Sequence, residues 1–125
     1  MTDGALVLIV EDNEKNLKLA RDLLWVKGFR TLEARTAEEG LELARAHLPK
    51  LVLMDVQLPG MDGFAALRAL RADPATVDLI VVAFTASVMT EDVARVEEAG
   101  FDGFIAKPIA VREFPDQVAR FLDHR

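Results

Sequence analysis

Short apolar segments that run directly into polar residues constrain the fold of this chain more than any other feature. The clearest segment is Leu51–Met54, which leads into Asp55 and is closed by Pro59 and Gly60. It is too short for a helix and long enough for a strand. An apolar run without polar alternation is typical of a strand covered on both faces, as in the centre of a parallel α/β sheet. The sequence therefore predicts that Asp55 lies at the carboxyl end of a central strand.

Three further apolar runs end in the same way. They are residues 6–10 before Glu11 and Asp12, residues 79–84 before Thr85, and residues 103–106 before Lys107. In an open parallel sheet the carboxyl ends of the strands meet at one edge, and ligands bind in the crevice there. We therefore expect three acids, one hydroxyl and one amine to converge at this edge.

Stretches of helical period separate the strands and predict five helices. We expect them from about Asn13 to Lys27, from a capping box at Thr36 to Pro49, from Phe64 to Arg71 behind an Asp62 cap, from near Thr90 to Gly100, and from Arg112 or Glu113 onward. The last helix is expected to begin this late because Pro115 cannot donate a helical hydrogen bond. Residues 31–34 form a short, half-polar strand that suits a sheet edge. The predicted fold class is α/β, flavodoxin-like (βα)5, with a doubly wound, five-stranded parallel sheet in the order 2-1-3-4-5.

Several side chains carry specific expectations about burial. Leu48 of the second helix and Ala99 of the fourth fall on apolar stripes and are expected to face the core. Trp25 is expected to be a partly buried helix residue. Gly40, inside the second helix, is expected to mark a close contact with a neighbouring element.

Length and composition narrow the classes of function. The 125 residues suit one domain, 1–125, without a separate output domain. The net charge of −6, from 21 acids and 15 bases, argues against direct nucleic-acid binding. There is neither an apolar stretch of about 20 residues for a membrane span nor a signal-peptide pattern, so we expect a cytoplasmic protein that does not bind membranes. Cysteine is absent, and His47 and His124 are expected to be exposed without a metal or catalytic role.

The predicted edge has a chemistry that follows from its charges. Three carboxylates at one place repel each other, and Lys107 offsets only one of them. A hard cation with oxygen ligands resolves the excess, and Mg²⁺ suits a shallow site with one or two carboxylates and a phosphate. A carboxylate can also act as a nucleophile and accept a phosphoryl group as an acyl phosphate. The residues therefore indicate a site at which a carboxylate could accept a phosphoryl group beside Mg²⁺.

The chain resembles the receiver domain of two-component response regulators, the CheY-like superfamily, and in particular the DivK-type single-domain regulators. The similarity runs from Leu6 to Leu122 and is carried by residues 10–16 (VEDNEKN), residues 53–59 (LMDVQLP) and residues 107–109 (KPI). The resemblance implies that Asp55 is the phosphoacceptor and that Lys107 and Thr85 contact the phosphoryl group. It implies that Mg²⁺ is bound by the side chains of Asp12 and Asp55, by the backbone carbonyl of Gln57, and through a water by Glu11. It also implies a cis peptide bond before Pro108.

The resemblance further implies a signalling switch. Thr85 moves toward the phosphoryl group, Phe104 turns inward, and the surface of the fourth helix, fifth strand and fifth helix changes for a downstream protein partner. The expected phosphoryl donor is a sensor histidine kinase or a histidine phosphotransfer protein, and the chain is expected to be a monomer or a weak dimer. Gln57 and Ser87 would flank the path of the attacking water.

Other functions share parts of this pattern. The chain could be a phosphorelay intermediate that passes its phosphoryl group to another histidine protein. An aspartyl-phosphate phosphohydrolase would carry a second acid two residues after the nucleophile, where this chain has Gln57. An FMN carrier would need an anion-binding loop where Glu11 and Asp12 stand, and a degenerate receiver used only for docking would not keep every polar position. We therefore expect a signalling phosphoacceptor that promotes its own phosphorylation and slow dephosphorylation, and not an enzyme.

Overall fold

The computed structural model describes residues 4–86 and 89–123 and shows five strands that alternate with five helices. In chain order the elements are β1 (Leu6–Val10), α1 (Glu14–Val26), β2 (Arg30–Ala34), α2 (Ala37–His47), β3 (Leu51–Asp55), α3 (Gly63–Ala72), β4 (Ile80–Thr85), α4 (Thr90–Ala99), β5 (Gly103–Ala106) and α5 (Phe114–Asp123). All strand pairs are parallel, and the sheet order is β2-β1-β3-β4-β5. The predicted flavodoxin-like fold is confirmed.

The register of the strands brings their carboxyl ends to one edge of the sheet. Val10 of β1 lies beside Met54 of β3, and Asp55 lies beside Phe84 of β4. The backbone N–H of Lys107 donates to the carbonyl of Thr85 at 2.8 Å, which continues the β4–β5 ladder past the end of β5. The residues that follow these strands therefore share one edge.

Helices cover both faces of the sheet and create two apolar layers. The layer under α1 and α5 is built around Leu24, Leu53 and Phe114, and the layer under α2, α3 and α4 around Leu8, Met54 and Leu67. β1, β3 and β4 are almost entirely buried. Their apolar runs have no polar alternation because both faces of these strands are covered.

Local sequence signals explain where several helices begin. Asn13 caps α1 by accepting from the N–H of Asn16 at 3.0 Å, and Asp62 caps α3 by accepting from the N–H of Ala65 at 2.9 Å. Both caps were predicted and are confirmed. The capping box of α2 is half formed. The Thr36 hydroxyl oxygen accepts from the N–H of Glu39. The Glu39 carboxylate accepts from the N–H of Arg35 at 2.9 Å, whereas in a complete capping box it would accept from the N–H of Thr36.

Gly40 and α5 show how packing and proline shape the helices. A Cβ on Gly40 would lie 2.8 Å from Cγ2 of Val10, so the predicted close contact is confirmed. The regular helix α5 begins at Phe114, which directly follows the expected starts at Arg112 or Glu113. Pro115 then falls in the first turn, where its missing N–H would have had no intrahelical partner anyway.

Three predictions of burial are wrong. Leu48 is 53% exposed with a φ of 47°, because the proline that follows disfavours a helical conformation and turns the side chain outward. Ala99 is exposed at the end of α4, and Phe101 fills the core there instead. Trp25 is 52% exposed and lies along the surface, where its Nε1 donates to Thr31 Oγ1 at 2.8 Å.

The expectations for the histidines, Ser87 and membrane-spanning segments can also be compared with the structure. His47 is exposed, as predicted, whereas His124 and Ser87 lie outside the described residues. Across residues 4–86 and 89–123, every helix is too short or too polar to span a bilayer.

Candidate functional site

Asp55, the last residue of β3, stands at the centre of the carboxyl edge. Its side chain is nearly inaccessible, since the residue is only 2% exposed. Oδ1 accepts from the backbone N–H of Gln57 at 2.9 Å, and Oδ2 lies 3.2 Å from Nζ of Lys107. The N-terminus of α3 packs tightly behind it, because a Cβ on Gly63 would collide with the carbonyl oxygen of Asp55. These contacts fix both the backbone and the carboxylate of Asp55.

Glu11 follows β1 and is buried beside Asp55. Its Oε1 accepts from Nζ of Lys107 at 2.9 Å, and its Oε2 accepts from the backbone N–H of Asn13 at 3.1 Å. Burial, together with a hydrogen bond and charge repulsion from Asp55, raises the pKa of Glu11 to about 7, although the bonds to Lys107 and Asn13 act in the opposite direction. The site therefore disfavours the ionised form of Glu11 relative to an exposed glutamate.

Lys107 follows β5 and supplies the positive charge between these two acids. Burial alone would lower the pKa of Lys107, but the hydrogen bond to Glu11 and the negative charges of Asp55 and Glu11 outweigh it and raise the pKa. The ammonium also lies 5.1 Å from the centre of the Phe84 ring. The amine is therefore held protonated at the site.

Asp12 adds a third carboxylate, which is exposed, to the buried carboxylates of Glu11 and Asp55. One carboxylate oxygen from each of Glu11, Asp12 and Asp55 lies within 4.8 Å of the others. One lysine faces three acids in this cluster, and hard oxygen donors of this kind match the ligand preference of Mg²⁺. Because Asp12 is exposed and the other two are buried, a cation could enter from solvent and reach all three. The donor set therefore fits Mg²⁺.

The remaining predicted site residues lie at different distances from this cluster. Thr85 ends β4 and is 4% exposed, and Gln57 is exposed two residues after Asp55. Phe104 lies on β5, partly buried against the core, and borders a different cavity with Gln117, Arg120 and Phe121. The expected cis peptide bond between Lys107 and Pro108 is present. The structure thus groups Glu11, Asp12, Asp55 and Lys107 by direct distances, with Thr85 and Gln57 beside them and Phe104 apart.

A cavity of about 290 Å³ beside the site was not foreseen from the sequence. Its described lining residues are Val56, Gln57, Asp62, Phe64, Thr85, Asp92, Arg95 and Val96. Arg95 of α4 lies over the ring of Phe64, the second residue of α3. No sequence signal marks this pair, because each residue taken alone looks like an ordinary helix position.

Comparison with known proteins agrees with this geometry. Residues 7–119 match the sequence profile described as the response regulator receiver domain. The polar-differentiation response regulator DivK of Brucella ovis is 41% identical over 116 residues, which cover 93% of this chain and 94% of that protein.

Solved structures show the same architecture. A CheY-like response regulator receiver domain protein from Methanospirillum hungatei is 28% identical with a TM-score of 0.84, and the alignment covers 96% of this chain and 94% of that one. The receiver domain of a sensor histidine kinase from Pseudomonas aeruginosa is 28% identical with a TM-score of 0.87, covering 96% and 98%, and holds a magnesium ion in its active-site cleft. The chain described here belongs to the response regulator receiver domain family, whose members are signalling proteins of two-component systems.

Proposed function

We propose that this chain is a phosphoacceptor response regulator in which Asp55 takes a phosphoryl group from a histidine kinase or a histidine phosphotransfer protein. One observation carries the proposal. The Asp55 carboxylate is buried at a strand end, 3.2 Å from the Lys107 ammonium, within a cluster of acids that fits a divalent cation. A buried acid held between an amine and further acids is typical of a site that handles a charged group.

The transfer step needs only a nucleophile, positioning and neutralisation of charge. An oxygen of Asp55 attacks the phosphorus, the bond from phosphorus to the histidine nitrogen breaks, and the electron pair stays on that nitrogen. Lys107 and Thr85 contact oxygens of the transferred group. Mg²⁺ bound by the side chains of Asp12 and Asp55, by the Gln57 carbonyl and through a water by Glu11 would supply further positive charge to those oxygens.

Lys107 is suited to this role because it is already poised at the site. Its Nζ lies 2.9 Å from Oε1 of Glu11 and 3.2 Å from Oδ2 of Asp55. Among the described residues, its ion pairs are with these two carboxylates. A dianionic phosphoryl group on Asp55 would offer the ammonium more negative charge than the resting carboxylate does. The ammonium would therefore stay at Asp55 after transfer.

The output would be a change of surface. Thr85 would move toward the phosphoryl group, Phe104 would turn inward, and the face formed by α4, β5 and α5 would bind a downstream protein. The partial burial of Phe104 supports this switch, since the ring has both core and solvent within reach. We place this exchange in the cytoplasm, as family membership implies, with the protein as a monomer or weak dimer.

Incubation with Mg²⁺ and acetyl phosphate, followed by intact-mass measurement, tests the proposal. We expect one base-labile phosphoryl adduct on the wild type and none on Asp55→Asn. Asp62→Asn is the matched control, because it removes a nearby acid while keeping a good helix cap, and it should be labelled like the wild type. Equal labelling of Asp55→Asn and the wild type, or no labelling of the wild type, would contradict the proposal.

The switch can be tested separately on Lys107→Ala. This variant should accept some phosphoryl group, because Asp55 remains, but its β5 amides should not change their hydrogen exchange on phosphorylation. A full exchange response in β5 of Lys107→Ala would show that the lysine does not couple phosphorylation to the output face.

A further inference from the structure

The cavity of about 290 Å³ beside Asp55 lies outside the cluster formed by Glu11, Asp12, Asp55 and Lys107. Val56 and Gln57, which directly follow Asp55, line it together with Thr85 at the end of β4. It therefore adjoins the space through which a phosphoryl donor approaches the carboxylate. Whatever part of the donor remains after transfer must occupy neighbouring space as it leaves.

Arg95 brings a positive charge to this cavity in a fixed position. Its guanidinium carbon lies 4.3 Å from the centre of the Phe64 ring, and Phe64 in turn packs edge-on against Phe101, with ring centres 5.6 Å apart. An arginine stacked on an aromatic face keeps the N–H donors at its edge available. Within residues 4–86 and 89–123, Arg95 makes no ion pair with an acid. Its donors therefore remain open to an anion.

The other charged residues that line the cavity are two acids, and each lies at the N-terminus of a helix, where the helix dipole partly offsets its negative charge. Asp62 accepts from the N–H of Ala65 at 2.9 Å and caps α3, and Asp92 lies in the first turn of α4, where the helix dipole favours negative charge. Arg95 is the cation among the described residues that line the cavity. An anionic fragment in this cavity would consequently be bound through Arg95.

We propose that this cavity receives the leaving group of acyl phosphate donors and that Arg95 binds the departing carboxylate. The inference rests on the proposed phosphorylation of Asp55. In this reaction an oxygen of Asp55 bonds to phosphorus while the bond from phosphorus to the bridging acyl oxygen breaks. The electron pair stays on that oxygen, so the fragment leaves as a carboxylate and no proton has to move. The planar, doubly donating edge of a guanidinium matches the two oxygens of that carboxylate.

Two small donors with different leaving groups test this assignment. Acetyl phosphate releases a carboxylate, whereas phosphoramidate releases ammonia and gives Arg95 nothing to bind. The apparent second-order rate constant of phosphorylation is measured for both donors at constant Mg²⁺ and ionic strength. For Arg95→Gln we expect a roughly tenfold loss with acetyl phosphate, as for a lost charge-assisted hydrogen bond, and a change of less than about twofold with phosphoramidate.

Two further variants make the result specific. Arg68→Gln removes an exposed arginine from α3 with the same change in net charge, and it should leave both rates within about twofold. Arg95→Lys keeps the charge without the planar fork and should lose part of the acetyl phosphate rate only. Thermal unfolding of each variant confirms that it is folded.

The outcomes separate this inference from the function on which it rests. An equal loss with both donors in Arg95→Gln would mean that Arg95 acts through the packing of Phe64, and it would overturn the inference. An unchanged acetyl phosphate rate would overturn it as well, while labelling of the wild type by both donors would leave the proposed function standing. Failure of acetyl phosphate to label the wild type would instead count against the phosphorylation of Asp55 itself.

Discussion

Asp12→Asn should make the metal-free protein more stable and at the same time abolish most of its stabilisation by Mg²⁺. Asp12 is exposed, and its carboxylate oxygen lies within 4.8 Å of oxygens of Glu11 and Asp55. The structure gives its side chain no salt bridge in the described part of the chain, so the substitution removes repulsion without removing an ion pair. At pH 8, above the raised pKa of about 7 of Glu11, the ionised form of this glutamate predominates, so Asp12 faces two negative charges.

Coulomb's law gives the magnitude. Two unit charges 4.8 Å apart repel by about 0.9 kcal/mol in water, the medium closest to an exposed side chain. Asp12 has two such neighbours, and the nearby ammonium of Lys107 offsets part of their effect. We therefore expect the free energy of unfolding of Asp12→Asn to exceed that of the wild type by about 1 kcal/mol. Mg²⁺ at ten times its dissociation constant should stabilise the wild type by about 1.4 kcal/mol and the variant by much less.

Urea unfolding in EDTA and in Mg²⁺ at pH 8 measures both effects. Asp12→Asn should be more stable than the wild type in EDTA, and the wild type should be at least as stable as the variant in Mg²⁺. Glu98→Gln removes an exposed acid from α4 and should shift stability by less than about 0.5 kcal/mol in either buffer. A variant that is less stable in EDTA, or that Mg²⁺ stabilises as much as the wild type, would refute the view that Asp12 belongs to a repulsive cluster that a cation relieves.

Two further predictions concern the packing and charge around Asp55. Lys107→Met leaves the buried carboxylates of Glu11 and Asp55 without their ammonium, so urea unfolding in EDTA at pH 8 should show a loss of about 3 kcal/mol; an unchanged midpoint would contradict the pairing. Gly63→Ala places a Cβ 2.7 Å from Cα of Val56 and against the carbonyl of Asp55, and should cost about 2 kcal/mol and slow phosphorylation by acetyl phosphate. The nearest atoms to a Cβ on Gly40 belong to the side chain of Val10, so Gly40→Ala should leave that rate unchanged, and equal rates for the two glycine variants would be evidence against this reasoning.

The sheet could be predicted because its information is local. Each buried strand is a short apolar run, each run ends in a polar residue, and Asn13 and Asp62 mark the starts of two helices. Parallel strands connected by helices then allow few arrangements. The order of the strands and the convergence of Glu11, Asp55 and Lys107 followed from these signals.

The errors arose where tertiary contacts decide the outcome. Periodicity placed Leu48 inward, but the following proline gives it a left-handed conformation and turns it to solvent. Trp25 looked partly buried, but its indole bonds to Thr31 and carries the guanidinium of Arg21 at 4.8 Å, so it lies on the surface. A pattern of apolar residues cannot reveal such contacts.

Parts of the site were also beyond the reach of the sequence. Spacing placed Lys107 near Asp55, but it could not show that the ammonium lies closer to Glu11, at 2.9 Å. The raised pKa of Glu11 depends on burial and on the neighbouring carboxylate, and neither can be read from one segment. Arg95 lines the cavity with its guanidinium over the ring of Phe64, a contact between two helices that neither segment's sequence reveals.

Chemical mapping of the phosphorylated residue tests the central claim most directly. The protein is labelled with acetyl phosphate and Mg²⁺, the acyl phosphate is reduced with borohydride, and the modified residue is identified by peptide sequencing in a mass spectrometer. Reduction should convert residue 55 to homoserine and leave Glu11 and Asp12 intact. Modification at Asp12 or Glu11 in place of Asp55, or the absence of any reduced residue from a labelled protein, would contradict the account.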